Sequence, residues 1–94
     1  MVQIRLTDSA WEDLDSITDY IAQDSLRYAQ EFGNDIFKRI EQLKEFPKSG
    51  RIVPEFRNEE MRELIMGKYR IVYRLYSSNV IIILRIIHGS KLMY

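Results

Sequence analysis

Basic side chains recur in the segment MRELIMGKYRIVYRLY, residues 61–76, whose pattern predicts two strands around a tight turn at Gly67-Lys68. Arg70 and Arg74 are four residues apart on the second strand, so they share one face of a sheet. Clustered cations attract anionic partners, whereas like charges held close together repel and do not stabilise a fold. The two arginines therefore indicate either a binding site or a solvated face on which arginine stems cover apolar neighbours.

The turn fixes which residues share that face. A two-residue turn pairs Met66 with Tyr69 and sets the register of the hairpin. One face then carries Leu64, Met66, Tyr69, Ile71, Tyr73 and Leu75, and we interpret it as the core face. The opposite face, called the mixed face below, carries Met61, Glu63, Ile65, Arg70, Val72, Arg74 and Tyr76. Glu63 is the acid among them and is the predicted counter-charge of the arginines.

The last strand, residues 80–87, is almost entirely apolar, so Arg85 decides its orientation. An unpaired guanidinium under a layer of helices is costly, which predicts that Arg85 lies on the mixed face with Ile81, Ile83 and Ile87. That parity requires a loop of two or four residues around Ser77-Ser78, and a two-residue loop places Arg70 opposite Arg85. If the first strand pairs beside the last, Arg5 joins them. We therefore expect Arg5, Arg70, Arg74 and Arg85 to converge.

The remaining elements supply the other layer. Residues 2–7 alternate apolar and polar side chains, which predicts a half-buried strand. Apolar residues then recur at helical spacing through two segments, the first capped by Thr7 or Asp8 and the second by Asp24 or Ser25 and ending near Phe46 before Pro47. Residues 47–60 have no regular period, and we interpret them as an ordered loop with a short extended piece at 51–53. Two amphipathic helices joined by a short connection form an antiparallel hairpin that must cover a sheet.

Composition limits the class of protein. Ninety-four residues allow a single domain, residues 1–94. Residues 8–45 carry a net charge of −6 and residues 46–94 one of +5, so opposite surfaces should favour different partners. The chain has no cysteine and one histidine, so we expect no disulfide, no metal site and no cofactor. No apolar run approaches the roughly 20 residues that span a bilayer, and no signal pattern begins the chain; we predict a cytoplasmic protein without a membrane partner.

The ordered set FPKSGRIVPEF, RELIMGKYRIVYRL and IIILRIIHGSK resembles the RelE/ParE superfamily of toxins from type II toxin–antitoxin systems, over essentially the whole chain. The resemblance implies an α+β, two-layer fold: an N-terminal strand, an antiparallel helical hairpin and a three-stranded antiparallel meander, with sheet order 1-4-3-2. It also implies a cognate antitoxin whose disordered segment folds over the toxin, and contact with operator DNA only through that antitoxin.

The superfamily has two main activities. ParE-like members poison DNA gyrase, and the GR, YRIVY and HGS motifs resemble that branch more closely. RelE-like members cleave mRNA on the ribosome without a metal, which would assign catalysis to Arg70, Arg85, His88 and Tyr94. In that alignment, however, two basic positions are replaced by Met61 and Glu63, which cannot neutralise a phosphate. We therefore favour a gyrase inhibitor over a ribosome-dependent endoribonuclease; a third alternative is a non-toxic relic that only binds antitoxin.

Both binding surfaces are predicted on the mixed face and the C-terminal tail. The predicted target-binding residues are cationic: Arg5, Arg70, Arg74, Arg85 and Lys91. The predicted antitoxin-binding residues are the apolar side chains that two helices on the other face would leave uncovered, with one acid: Ile65, Val72, Ile81, Ile83, Ile87 and Glu63. Such an apolar area is larger than a lone domain usually exposes, which indicates a partner.

Overall fold

A computed structural model describes residues 2–91 and shows an α+β fold in which two helices cover one face of a five-stranded sheet. The elements are β1 (Gln3–Leu6), α1 (Asp8–Ala22), α2 (Leu26–Gln42), β2 (Arg51–Ile52), β3 (Met61–Met66), β4 (Tyr69–Ser77) and β5 (Val80–His88). The sheet order is β1-β5-β4-β3-β2. The four long strands keep the expected succession, but four strands were too few, because the connector adds β2 outside β3.

Each helix begins at a hydroxyl cap. The Thr7 hydroxyl accepts a hydrogen bond from the backbone N–H of Ala10 at 3.0 Å, and the Ser25 hydroxyl accepts one from Tyr28 at 3.1 Å. Both bonds satisfy N–H groups that have no partner within the helix. The second helix ends at Gln42, earlier than the predicted Phe46, and residues 43–45 continue as turns. Within residues 2–91, no helix is long and apolar enough to cross a membrane.

The core lies between the helices and the predicted core face of the hairpin. Leu64, Ile71 and Tyr73 of the sheet are buried against Leu14 of α1 and Ile36 of α2. The β3–β4 register runs from Met61 opposite Arg74 to Met66 opposite Tyr69, as the two-residue turn at Gly67-Lys68 predicts. Gly67 has a φ of 58°, a left-handed conformation that glycine adopts without steric cost. The hairpin prediction is therefore confirmed residue by residue.

The predicted orientation of the last strand is wrong for its first half. Ile81 and Ile83 are buried in the helix-side core and do not lie on the mixed face. The cause is a β-bulge: Tyr73 pairs with Ile83 whereas Val72 pairs with Arg85, so one extra residue interrupts the alternation. Beyond the bulge, Arg85 and Ile87 lie on the face predicted for them, opposite Val72 and Arg70, and Ile87 belongs to a second buried cluster.

The loop before the last strand also differs in detail from the prediction. Ser77 pairs with Val80, so the two-residue loop is formed by Ser78 and Asn79, one residue later than predicted. With this register and the bulge, Arg70 lies opposite Ile87 and not opposite Arg85. The predicted direct pairing of the two arginines is therefore wrong.

Candidate functional site

Arg70 is the centre of a buried ion-pair network on the mixed face. Only 5% of its surface is exposed. Its Nε donates to Glu63 at 2.6 Å, and its two terminal nitrogens donate to the two carboxylate oxygens of Glu55 at 2.8 and 2.9 Å. The hydrogen bonds to Glu55 are the largest cause that raises the pKa of Arg70 above its ordinary value, against desolvation, which lowers it. Arg70 is therefore a permanently charged group held inside the protein.

Glu63 joins this network to the strand at the sheet edge. Its side chain is fully buried and pairs with both Arg70 and Arg51, the latter largely exposed on β2. A buried carboxylate needs such partners, because removing a charge from water without compensation is costly. The prediction that Glu63 is the counter-charge of Arg70 is confirmed. As an antitoxin contact, however, Glu63 is inaccessible in the free chain.

The connector, residues 47–60, covers the apolar part of the mixed face. Val53 packs with Val72 and Ile87 in a fully buried cluster, and Met61 and Leu84 pack against it. The connector is held at its start by Tyr73, whose hydroxyl accepts from the Gly50 N–H at 3.0 Å and donates to the Pro47 carbonyl at 2.7 Å. The chain thus covers with its own loop the surface predicted for the antitoxin.

This covering changes the predicted antitoxin set. Ile65 remains accessible, with 43% of its surface exposed, whereas Val72 and Ile87 lie beneath the connector. Ile81 and Ile83 are in the helix-side core. The prediction of a broad exposed apolar sheet face is wrong, because a loop without regular periodicity packs as closely as a strand would.

Arg85 pairs with the first helix. Its Nε and one terminal nitrogen donate to the two carboxylate oxygens of Asp13 at 2.6 and 2.8 Å, and these bonds are the main cause that raises its pKa above the ordinary value. Asp13 also accepts the backbone N–H of Ile86 at 2.9 Å, at a point where β5 extends beyond the last residue of β1. The ion pair of Arg85 with Asp13 thus connects β5 to α1, and Arg85 does not join Arg70 in a shared cationic site.

The other predicted target-binding cations are at the surface. Arg5 donates to Gln3 on its own strand at 3.2 Å, and Arg74 makes a long 3.4 Å contact with Glu60 while about half exposed. Lys91 is exposed at the end of the described chain. The structure therefore does not bring the four arginines together: Arg70 is buried and Arg85 is partly buried in their ion pairs, whereas Arg5, Arg74 and Lys91 are exposed.

The residues proposed for nuclease chemistry are also apart. His88 is exposed at the end of β5, where its ring Nδ1 lies 2.7 Å from the Ser90 hydroxyl and its ring contacts Tyr69 edge-on. Arg70 is buried among carboxylates, and Arg85 is paired with α1. Tyr94 lies outside the described residues. Within residues 2–91, no group of three or more metal-ligating side chains is placed to hold an ion.

A groove between the tip of the helical hairpin and the β3–β4 turn is an open surface that the sequence analysis did not predict. It has a volume of ≈ 450 Å³ and is lined by aromatic, apolar and acidic side chains together with the turn: Tyr20, Ile21, Tyr28, Glu31, Phe32, Asp35, Met66, Gly67, Lys68 and Tyr69. Tyr20 and Tyr28 are 68% and 64% exposed, which is unusual for large aromatic side chains. Both tyrosines lie outside the apolar stripes of their helices, at positions where polar residues are expected. That placement is the feature of the sequence that could have indicated an exposed aromatic surface.

The helical hairpin, the sheet with its parallel N-terminal edge strand, and the connector closed over the mixed face define the class of RelE/ParE-type toxins. The sequence matches the family described as "ParE toxin of type II toxin-antitoxin system, parDE" over residues 4–93. A chain of the solved structure "Chromosomal ParDE TA system from P. aeruginosa" is similar, with 25% identity and a TM-score of 0.75 over 94% of this chain and 96% of that chain. A search of curated proteins gave no match.

The chain therefore belongs to the ParE toxin family and is a ParE-like toxin of a type II toxin–antitoxin system. The predicted superfamily and the predicted branch are both confirmed.

Proposed function

We propose that this toxin inhibits DNA gyrase by binding it and that a cognate antitoxin neutralises it. The observation that carries the proposal is the match to the ParE toxin family over residues 4–93. A gyrase target would place the site of action in the cytoplasm, and operator DNA would be contacted through the antitoxin. The chain would act without a cofactor, as a protein ligand of its target.

The mixed face supports a binding role over phosphate chemistry. A nuclease needs cationic donors that reach the position where charge develops on the phosphate. Arg70 donates instead to Glu55 and Glu63 while 5% exposed, and β3 offers Met61 and Glu63 where the RelE-like scheme needs bases. A phosphate brought to Arg70 would have to displace two carboxylates from a buried site. This arrangement favours the gyrase proposal over the ribosomal endoribonuclease.

We assign target contact to the exposed cations Arg5, Arg74 and Lys91. The decisive experiment adds the purified chain to gyrase and supercoiled plasmid and, in parallel, to a bacterial translation extract. Inhibited supercoiling with accumulation of cleaved plasmid supports the proposal. Truncated mRNA in the extract with unaffected gyrase would replace it with the nuclease function, and no effect in either assay would leave an antitoxin-binding relic.

Charge variants test the assigned contacts. Lys91→Ala should weaken gyrase inhibition, whereas Arg27→Ala removes an equal charge from an exposed (i, i+4) pair on α2 and should leave inhibition unchanged. Native-level inhibition by both variants would show that the tail cation does not contact the target. Equal loss would show that only net charge matters, through long-range attraction between the partners.

For the antitoxin we propose the aromatic groove at the hairpin tip. Its exposed tyrosines offer large apolar area with few rotatable bonds, which is typical of residues that dominate binding energy. Glu31 and Asp35 on its helical side favour a segment that carries basic side chains beside its apolar anchors. Because the segment would bind only the folded toxin, it should also stabilise the toxin by mass action.

A matched pair of tyrosines tests this assignment. Tyr28 in the groove and Tyr76 at the far end of β4 are 64% and 60% exposed, so truncation to alanine removes a similar area of exposed aromatic side chain at each position. Tyr28→Ala should weaken antitoxin binding by about tenfold or more, and Tyr76→Ala should not. The measurement is titration calorimetry with the cognate antitoxin. Weaker binding by Tyr76→Ala alone would move the antitoxin surface away from the groove.

A further inference from the structure

Three hydrogen bonds hold the last described turn of the chain, residues 88–91. The Gly89 N–H donates to the Lys68 carbonyl at 2.7 Å, and the Lys91 N–H donates to the His88 carbonyl at 2.9 Å. The third bond comes from the buried network: a terminal nitrogen of Arg70 donates to the Lys91 carbonyl at 2.8 Å. A charged side chain on β4 thus holds the backbone of Lys91, an exposed residue just beyond the end of β5.

This third bond is not needed for the ion pairs themselves. A guanidinium has five N–H donors in a rigid fork, and Glu55 and Glu63 accept three of them. The two carboxylates fix the plane and rotation of the fork, since one accepts at Nε and the other at both terminal nitrogens. A remaining donor then points at a fixed place, which is where the Lys91 carbonyl lies.

We propose that Arg70 is a positioning residue for the C-terminal target contact. The carboxylates orient the guanidinium, the guanidinium holds the Lys91 carbonyl, and the ammonium group of Lys91 is thereby presented at the same end of the sheet as Lys68. The partner chemistry that fits is an acidic protein surface. Arg70 contributes to target binding without touching the target. The functional consequence rests on the proposed function, whereas the anchoring itself does not.

The anchoring is tested by limited proteolysis of the full chain. Trypsin cleaves after Lys91, and the carbonyl of that bond is the group that Arg70 holds. Arg70→Lys keeps a cation for the carboxylates but loses the fork that reaches three partners. Cleavage after Lys91 should become about ten- to a hundredfold faster, because a hydrogen bond from a charged donor is lost. Cleavage after Arg27, exposed on α2, is the internal reference and should not change.

A second variant covers the case in which Arg70→Lys does not fold. Arg70→Gln combined with Glu55→Gln and Glu63→Gln replaces the three charges of the network by amides that can hydrogen-bond one another, so no carboxylate loses its cation. Folding is checked by circular dichroism and a cooperative thermal transition. An unchanged rate of cleavage after Lys91 in a folded variant would overturn the anchoring.

The positioning role is tested by a double-mutant cycle read by gyrase inhibition. If Arg70 acts through Lys91, Arg70→Lys should weaken inhibition in the native chain but have no further effect in a Lys91→Ala background. Additive losses would assign Arg70 a general structural role and overturn the positioning. If the native chain does not inhibit gyrase, the proposed function fails, and the proteolysis result still decides whether Arg70 anchors Lys91.

Discussion

Arg70 and Arg74 make a matched pair for testing the buried network. Both lie on β4 with register partners on β3, and truncation to alanine removes the same atoms from each. They differ in environment: the Arg70 side chain is 5% exposed and bound to two carboxylates, whereas that of Arg74 is 47% exposed beside one, at 3.4 Å. A difference in stability between the two variants therefore reports burial and pairing, not residue type or strand propensity.

The expected magnitudes are well separated. Removing one partner of a buried ion pair costs about 3–5 kcal/mol, because the other charge stays buried. Arg51 still pairs with Glu63 in the Arg70→Ala variant, which places the expected loss of unfolding free energy near the lower end of that range, at about 3 kcal/mol. The exposed Arg74 pair should contribute about 0–1 kcal/mol. If Arg70 were at the surface, as predicted from strand parity, its truncation would cost within about 0.5 kcal/mol.

Urea denaturation followed by circular dichroism measures this difference. The midpoint should fall much further for Arg70→Ala than for Arg74→Ala at equal slope, and the melting temperature should fall by more than about 12 °C for Arg70→Ala, at about 4–8 °C per kcal/mol for a domain of this size. Unfolding free energies that agree within about 1 kcal/mol, with unchanged slopes, would refute the assignment of Arg70 to a stabilising buried network.

Three further changes test the contacts around this network. Gly50→Ala should cost about 1–3 kcal/mol, because its Cβ would lie 2.6 Å from the Tyr73 hydroxyl, whereas Gly33→Ala in α2 meets nothing within 4 Å and should stabilise by about 1 kcal/mol in the same urea assay. Burial raises the pKa of Tyr73 above its ordinary value of 10.0, so the folded state keeps the hydroxyl neutral. The contribution of this neutral hydroxyl to the unfolding free energy is therefore intact below pH 10.0 and is lost as the pH rises through the pKa of the folded state. Urea midpoints from pH 8 to 11 should therefore fall less steeply for Tyr73→Phe than for the native chain, although that variant starts lower. Asp13→Ala should cost about 1 kcal/mol and speed amide exchange at Ile86, because the carboxylate that accepts its N–H is removed; unchanged exchange would contradict the contact between α1 and the sheet.

The parts of the fold that follow from local chemistry could be predicted from the sequence. The Gly67-Lys68 turn sets the β3–β4 register because a two-residue turn admits one pairing. Thr7 and Ser25 mark helix starts because hydroxyl side chains satisfy the free N–H groups there. Each of these signals acts over a few residues, so no knowledge of distant segments was needed.

The errors arise where distant segments decide the outcome. The extra residue of the bulge after Ile83 changes which side chains of β5 face the helices, and strand alternation alone contains no sign of it. The register keeps Arg85 on the mixed face, opposite Val72, as predicted, but its guanidinium does not join Arg70 because Asp13, 72 residues earlier in the chain, supplies its partner. A cost that excludes an unpaired charge does not exclude a paired one.

The same distinction accounts for the predicted arginine cluster. Glu55 stands in a loop without periodicity, so nothing in its local sequence showed that its carboxylate would meet Arg70. Once that pair forms, the basic half of the chain neutralises part of its charge internally, and the surface available to an anionic partner shrinks to the exposed cations. Charge asymmetry along a sequence is therefore a weaker guide to a binding face than charge that remains unpaired after folding.

The two surfaces proposed for partners meet at the β3–β4 turn. Lys68 lines the aromatic groove with its turn neighbours, and its carbonyl also accepts the Gly89 N–H that begins the last described turn. A segment seated in the groove would therefore lie against the chain that leads to Lys91. Because a terminal nitrogen of Arg70 donates to the Lys91 carbonyl, the proposed target contact could not move away from that segment without breaking a hydrogen bond from a buried charge. Neutralisation would then follow from occupancy of adjoining surfaces, with no change of toxin conformation required.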